Sequence, residues 1–440
     1  VTIKETRSGA SKTMQTNNSG NYDFEAIQPG TYEITAVQTG FRPAKVENVA
    51  VVVNTTVRMD VTLLLGSATE SVTVTSAPDV LKTDRADVGI DISSQQAEDL
   101  PLGTNRNFQG LLALVPGATK PHFQHSTFFN AAASLSTEVN GQSRLANNTE
   151  IEGVDDNERS GLLQVLIPPS EAIQSVSVST GNYQAEFGRV GGAVTDIILK
   201  SGTNDFHGAA YEFNRISALQ AKDYFQTGPN PVTVYNYYGG NLGGPIIRDK
   251  LFIFGDYLHV GDHQGQFTTI TVPTEAFRNG DFSAAPNNIY DPATGNSDGT
   301  GRTQFNYMGR ANGMDPARIS PIAQKIMALV PLPNVPFGGL SSNYTGVTHF
   351  IRKTNSFDVK ADQNLRGEDH LSVRYSWQKV DQDQQALFGL AGGPSHDGAH
   401  GTQTAYNTAA NYTHVFSPVL LTEVRLGLNH YKNIAKQHDY

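Results

Sequence analysis

The chain has 440 residues, room for two to four domains, with 42 Gly, 17 Tyr, 21 Phe and only 17% charged residues. That mix suits turn-rich β structure and argues against a helical bundle. A formal charge of −10 leaves no basic stripe to neutralise phosphates and excludes nucleic acid as the main partner; the absence of Cys removes disulfide frameworks and thiolate metal sites. No apolar run approaches the ~20 residues of a membrane-spanning helix, but barrel strands need only ~10 alternating residues each. The chain opens at Val1, already inside an alternating strand (Val1, Ile3) and without a signal peptide. The expectation is that the true amino terminus lies upstream.

Residues 1–65 read as strands parted by turn signals at Asn18-Ser19-Gly20-Asn21, Pro29-Gly30 and Gly40. Tyr22, Phe24 and Ala26 alternate with polar neighbours, as do Tyr32, Ile34 and Ala36, and a last strand over 57–65 puts Val57, Met59, Val61 and Leu63 on one face. This predicts a small antiparallel β-sandwich lacking its first strand or two. The run NNSGNYDFEAIQPGTYEITAVQTGFR (17–42) resembles the carboxypeptidase regulatory-like domain, a transthyretin-like sandwich. The family name suggests a peptidase, but the segment holds no His and no metal-ligand cluster, so it carries no zinc chemistry. It reads as a spacer or interaction module, with carbohydrate binding as the lesser reading.

Residues 66–84 form a linker. Gly66-Ser67-Ala68 and Ser76-Ala77-Pro78 bracket one short β-prone segment, Glu70, Ser71, Val72, Thr73, Val74 and Thr75. It has no hairpin partner in sequence, and such a strand can add to the sheet edge of another protein. The alternatives are a last sandwich strand or a plain linker.

Residues 85–202 change to mixed α and β. A short helix is expected over 107–115, stopped by Pro116-Gly117. Ile173, Val176 and Val178, then Val194, Ile197 and Leu199, mark buried strands near Gly191-Gly192.

Seven strands follow in 203–440, at about 208–215, 234–245, 251–260, 355–364, 370–379, 404–416 and 420–431. Their connections alternate strictly between long (216–233, 261–354, 380–403) and short (246–250, 365–369, 417–419), the loop sorting of outer-membrane barrels. Leu371, Val373, Tyr375 and Trp377 alternate with Ser372, Arg374, Ser376 and Gln378; Phe357, Val359 and Ala361 do so with Asp358, Lys360 and Asp362, and Val424, Leu426 and Leu428 with Glu423, Arg425 and Asn429. The apolar faces are expected to meet lipid and the charged faces a wet lumen. Tyr211, Phe213, Tyr257, Trp377, Tyr412, Phe416 and Tyr431 sit where interfacial girdles belong.

The runs VNGQSRLANNTEIEGVDDNE (139–158) and AIQSVSVSTGNYQAEFGRVGGAVTDIILKSGTNDFHG (172–208) resemble the plug of TonB-dependent receptors. With NLGGPIIRDKLFIFGDY (241–257), TVPTEAFRNGDFS (271–283), IYDPATG (289–295) and ARISPIAQKIMALVPLPN (317–334), they are most similar to the large Oar-like branch, which carries a regulatory-like domain ahead of the plug. The Gly103-Thr104-Asn105-Arg106 turn is longer than the family's usual Asn-Gly-Arg. The resemblance implies a mainly β protein: a sandwich, an α+β plug and the first strands of a 22-stranded transmembrane barrel, with about 15 strands beyond Tyr440. It further implies that residues 70–75 are the TonB box. The partners would then be the energy transducer TonB, outer-membrane lipid and an extracellular ligand gathered by long loops such as 261–354.

No phosphate loop, nucleophile elbow or zinc-protease helix occurs, so no catalytic residue, metal or cofactor is assigned. His396 and His400 with Asp397, and His122 with His125, read as solvated loop residues. Asp291 to Asp298 lacks the closing Glu of a calcium loop. The sequence therefore predicts a TonB-dependent outer-membrane receptor that takes up a siderophore, oligosaccharide or peptide. The alternative is a surface binding or adhesion protein working through its sandwich; an accessory to a secreted carboxypeptidase is a more distant third.

Overall fold

The computed structural model describes residues 1–440 except 26, 52–55, 67–71, 76–86, 104, 185, 189, 223, 225–229, 337, 367–368, 390–397, 418–419 and 439–440; for 72–75 and 366 it describes the backbone alone. Among the described residues no helix is long and apolar enough to cross a membrane.

The first unit is one sheet of β1 (Thr2–Glu5), β2 (Ser11–Thr13), β3 (Gly30–Ala36), β4 (Ala44–Val51) and β5 (Val72–Thr75), in the order β2-β1-β3-β4-β5. Ile3, Tyr32, Ile34, Val46 and Val49 form its core. Tyr32 and Ile34 keep the one-in-two spacing of the pleat, while a bulge with Asn48 at φ 61° lets Val46 and Val49, three apart, face the same side. The second layer comes from extended segments that lay Phe24, Ile27, Val57, Met59 and Val61 on that core. The strand expected over 57–65 keeps its alternation but joins no ladder beyond a Phe41–Leu65 bridge. Its backbone is partly occupied otherwise: the Tyr22 hydroxyl donates to the Met59 carbonyl.

The second unit contains β6 (Val88–Ser93), α1 (Ser94–Asp99), a 3-10 helix over Phe108–Leu114, the two-residue β7 (His122–Phe123) and β8 (Leu135–Ser136), then β9 (Asn148–Ile151), β10 (Val154–Asp155), β11 (Ile173–Gly181) and β12 (Val194–Leu199). A capping box starts α1: Ser93 Oγ accepts from the Gln96 N–H, and Gln96 Oε1 accepts from the Ser93 N–H. Asn107 caps the 3-10 helix, which occupies the place of the predicted helix and ends where Gly117 turns at φ 81°. The sheet order is β10-β9-β12-β11-β6, with β9 and β12 parallel and the other pairs antiparallel. Phe108, Leu111, Leu112 and Val115 pack on Ile151, Ile173, Val176 and Ile197 as one core.

The third unit is a seven-stranded antiparallel sheet of β13 (His207–Ile216), β14 (Thr233–Ile247), β15 (Leu251–Ile270), β18 (Tyr344–Arg366), β19 (Asp369–Gln384), β20 (Ala399–Ser417) and β21 (Leu420–Gln437), paired in chain order. Between β15 and β18 the chain forms α2 (Glu275–Arg278), β16 (Asn306–Tyr307), β17 (Arg310–Ala311) and α3 (Pro321–Leu329). The strands are longer than the turn signals suggest: β15 pairs with β18 without a break from Leu251↔Gln363 to Ile270↔Tyr344. Twenty residues of strand run roughly 65 Å, well beyond the thickness of a bilayer core of about 30 Å. The sorting survives this lengthening. The strand ends Ile247 and Leu251, Arg366 and Asp369, and Ser417 and Leu420 lie at one end, and Ile216 and Thr233, Ile270 and Tyr344, and Gln384 and Ala399 at the other.

Candidate functional site

The predicted alternation is present, and it sorts burial opposite to a soluble core. Val359, Val373, Tyr375, Leu426 and Leu428 face outward and are exposed, whereas Asp358, Lys360, Ser372, Arg374, Ser376 and Gln378 are buried. The inner face is not the wet lumen expected from its charges. The second unit is seated against it, and the polar side chains meet protein rather than water.

Most of the seat is made by amides donating to backbone carbonyls of the seated domain. Gln382 donates to Thr127 O at 2.7 Å, Gln403 to Val165 O at 3.1 Å, Asn411 to Glu152 O at 3.0 Å and Asn429 to Asp155 O at 3.0 Å. Asn433 reaches both Phe128 O (2.9 Å) and Phe129 O (2.7 Å). A neutral hydrogen bond nets only about 1 kcal/mol, so the set holds the domain by number and registers it by geometry.

Charges also line this face, and several of them meet the seated domain. Lys360 Nζ lies 2.9 Å from Glu152 Oε1, both side chains buried, and also donates to Leu199 O at 3.3 Å. Glu152 occupies a two-residue hairpin turn between β9 and β10, with φ 55° at Glu152 and 72° at Gly153. Such type I′ turns favour Asn, Asp and Gly, so a Glu held there with positive φ is a strained choice, and the strain aims its carboxylate at the wall. Arg374, 1% exposed, donates to Ile151 O (3.2 Å), to Asn407 Oδ1 (2.5 Å) and to Ser376 Oγ, which in turn donates to Asp358. Asn407 Nδ2 closes the chain on Asp156 Oδ1 at 3.3 Å. At the opposite edge, Glu171 accepts from Arg106 (2.6 Å) and from the Tyr237 hydroxyl of the wall (2.8 Å). The Arg106 guanidinium stacks over Phe213, 3.6 Å from the ring centroid.

Burial sets the ionisation of the seated domain's own acids. It pushes the Asp156 carboxyl well above the usual carboxylate range, against the Leu166 N–H, the Arg374 charge and the Asn407 amide. Asp196 is pushed up to about 7, first by burial and then by Glu150 and Glu152. For Glu158 burial acts upward, but hydrogen bonds from Ser160 and Gly161 outweigh it and leave the carboxyl low.

Of the candidate TonB-contact residues, Glu70 and Ser71 lie outside the described residues. Val72, Thr73, Val74 and Thr75 form β5, which is not the partnerless strand the sequence suggested. It pairs in parallel with β4, Ala44↔Val72 through Glu47↔Thr75. The partner comes from a strand about thirty residues earlier, a distance no hairpin signal covers. The first unit also touches the short-turn rim: the Asn204 N–H donates to Arg7 O at 2.9 Å, and its side chain to Ser8 O at 2.6 Å and Asp249 Oδ1 at 2.7 Å.

The long excursion 271–343 is ordered by its own polar contacts. Arg278 gathers the carbonyls of Pro273, Met327, Val330 and Pro331, and Arg318 grips Asp291 with two bonds of 2.7 and 2.9 Å. Asp291 is thus held by an arginine, and among the described residues no group of His and carboxylates could hold a metal ion. His125 bonds Arg144 (2.7 Å), and His400 lies 3.8 Å from Asp383; His396 and Asp397 lie outside the described residues.

Neither Glu152 and Lys360 nor Arg374 and Asn407 stood out in the sequence. Two signals were available: a Glu-Gly pair between short β runs, and Asn and Gln recurring among the charges at inner-face positions. Amides there belong to a wall that must bond backbone.

An outward-apolar sheet with a mixed domain packed on its polar face is the architecture of a plugged membrane barrel. The chain belongs to the outer membrane beta barrel domain family, which matches residues 198–440, and residues 1–64 match the carboxypeptidase regulatory-like domain; its place is the bacterial outer membrane. It is 26% identical over 261 residues to the TonB-dependent transporter Oar of Myxococcus xanthus, covering 56% of this chain and 23% of that protein. Solved structures similar to it include the siderophore receptor PirA of Acinetobacter baumannii (15% identity, TM-score 0.32, 79% of this chain and 48% of that one) and the outer membrane transporter YddB of Escherichia coli (12% identity, TM-score 0.37, 80% and 55%). The chain thus spans about a quarter of Oar and about half of these solved chains.

Proposed function

We propose that this chain is the amino-terminal part of a TonB-dependent outer-membrane transporter. Residues 85–202 are its plug, 203–440 the first part of its barrel, 1–65 a periplasmic regulatory-like module and 66–84 the coupling linker. Cargo of the siderophore, oligosaccharide or peptide class binds on the long-loop side, at segments such as 271–343 and the facing plug. TonB pairs with Glu70, Ser71, Val72, Thr73, Val74 and Thr75 by strand addition, and the pull loosens the plug.

The observation that most supports this reading is the character of the plug seat. A domain held by many neutral amide–carbonyl bonds, the buried Glu152–Lys360 pair and the Arg374 and Glu171 contacts is firmly registered. It can still be stripped in steps, because among the described residues its buried apolar core is separate from that of the wall. The similarity to Oar supplies the coupling expectation. Deleting residues 70–75 in the intact receptor tests it. Uptake should be lost while surface display and the barrel's heat-modifiable mobility stay normal. Undiminished uptake would sink the coupling role and favour the adhesion reading.

A further inference from the structure

We infer that the β4 edge of the regulatory-like sheet is a docking site for the coupling strand, so that this sheet and TonB compete for residues 72–75. The inference rests on the reading of 70–75 as the TonB contact and adds a regulator to it.

Three observations carry it. First, β5 is bound through backbone: four register pairs, from Ala44↔Val72 to Glu47↔Thr75, place it as the terminal strand of the sheet. Strand addition to a second protein uses the same backbone groups. Second, the chain is led there. Leu65 is bridged to Phe41, and Arg42 N donates to Leu64 O at 2.8 Å, so the chain is anchored three residues before the β4 stretch on which β5 lies. This short tether makes docking intramolecular and gives it a high effective concentration. Third, the hold is slight. The pairing is parallel, short and at an edge, and parallel ladders are a little weaker per residue than antiparallel ones. A partner that offers a longer ladder can take the strand; without it, the strand returns to β4.

Sequestration lowers apparent affinity by the fraction of chains whose strand is free. TonB engagement would then depend on whatever loosens the regulatory-like sheet, including its Asn204 contacts with the barrel rim. The module would act as a latch on coupling rather than as a spacer.

The test uses the absence of native Cys. Lys45→Cys with Thr73→Cys places a pair at directly opposed register positions, introduced into the intact receptor in detergent. Binding of the periplasmic domain of TonB is measured oxidised and reduced, beside the unsubstituted receptor. The expected result is at least a tenfold loss of affinity on oxidation, restored by reductant. Equal binding in both states would mean that TonB adds to the outer edge of an intact sheet, and the competition would be overturned with the coupling reading intact. Failure of the unsubstituted receptor to bind would defeat the coupling reading itself. Failure of the two cysteines to pair would refute the register.

Hydrogen exchange on the unsubstituted receptor decides independently, should Thr73→Cys itself impair TonB binding. On adding the TonB domain, those amides of Ala44–Glu47 that point to β5 rather than to β3 should lose protection while those of 72–75 keep or gain it. Unchanged or increased protection of those β4 amides would overturn the inference.

Discussion

The plug's seat on the barrel wall and the regulatory-like sheet's contact with the barrel rim are both polar, but they are built to different standards. At the seat Lys360, Glu152, Arg374 and Asn407 are all buried, and their bonds are shielded from water, where each is worth more and each orphan costs more. At the rim a half-buried Asn204 reaches the sheet through Arg7 O and Ser8 O, beside an exposed Asp249, where water competes more freely. The lesson is that polarity does not measure attachment; burial of the polar groups does. The seat is a fixed interface that needs work to open, and the rim contact can come and go.

The largest test of that contrast removes one charge from the seat. Lys360→Met strands the Glu152 carboxylate in a dry interface, and the plug should lose roughly 3–5 kcal/mol of seating free energy. Protease cleavage within 139–161 and leak conductance of the reconstituted receptor should both rise. Glu152→Gln added to it should recover most of the loss; if the double variant leaks as much, the pair is not what fixes the plug.

Next comes the plug's pH response. Asp196 has its folded value raised to about 7, above the unfolded carboxylate range near 3.9, so the native state holds the proton between the two. Stability should therefore fall as pH rises from about 4 to about 7, with the full cost of the buried charge present above 7. Asp196→Asn should flatten that limb and stabilise the plug at pH 8 by at most about 4 kcal/mol. Chemical denaturation at pH 5 and pH 8 reads the difference, and equal slopes for both proteins would refute the assignment.

A smaller effect is expected at Asn107, whose side chain caps the 3-10 helix through the Gln109 N–H at 2.9 Å and donates to Ala133 O at 3.1 Å. Asn107→Ala should cost roughly 1–2 kcal/mol of plug stability, seen as a lower denaturation midpoint with the barrel transition unmoved. Smallest of all, Asn204→Ala should change global stability by under about 1 kcal/mol, yet loosen the regulatory-like sheet at the rim by removing the bond to Ser8 O while the backbone bond to Arg7 O stays. Faster proteolytic release of residues 1–65 would register this. Unaltered release would mean that the rim contact holds by other bonds.

Much of the fold was legible because it is written locally. The period of two in β18, β19 and β21 marks which side chains face lipid, and the sorting of links shows which end of the sheet is which. The strand ends were not legible: β15 and β18 continue to Ile270 and Tyr344 through Thr, Gln and Gly positions whose strand conformation is imposed by the partner, not by propensity. The candidate site was less legible still. Glu152 meets Lys360, and Arg374 meets Ile151, across more than two hundred residues, and nothing in either stretch names the other.

The sequence by itself determined the lipid-facing stripe, the loop sorting and the short backbone motifs, because alternation, turn residues and caps act over a few residues and need no distant partner. Only the tertiary structure decided that the polar inner face is dry and that residues 72–75 have a neighbour. Both depend on which surface comes to lie opposite. Burial of Arg374 follows from the plug being seated there, and the place of β5 follows from a parallel register with β4 that the Phe41–Leu65 bridge makes close.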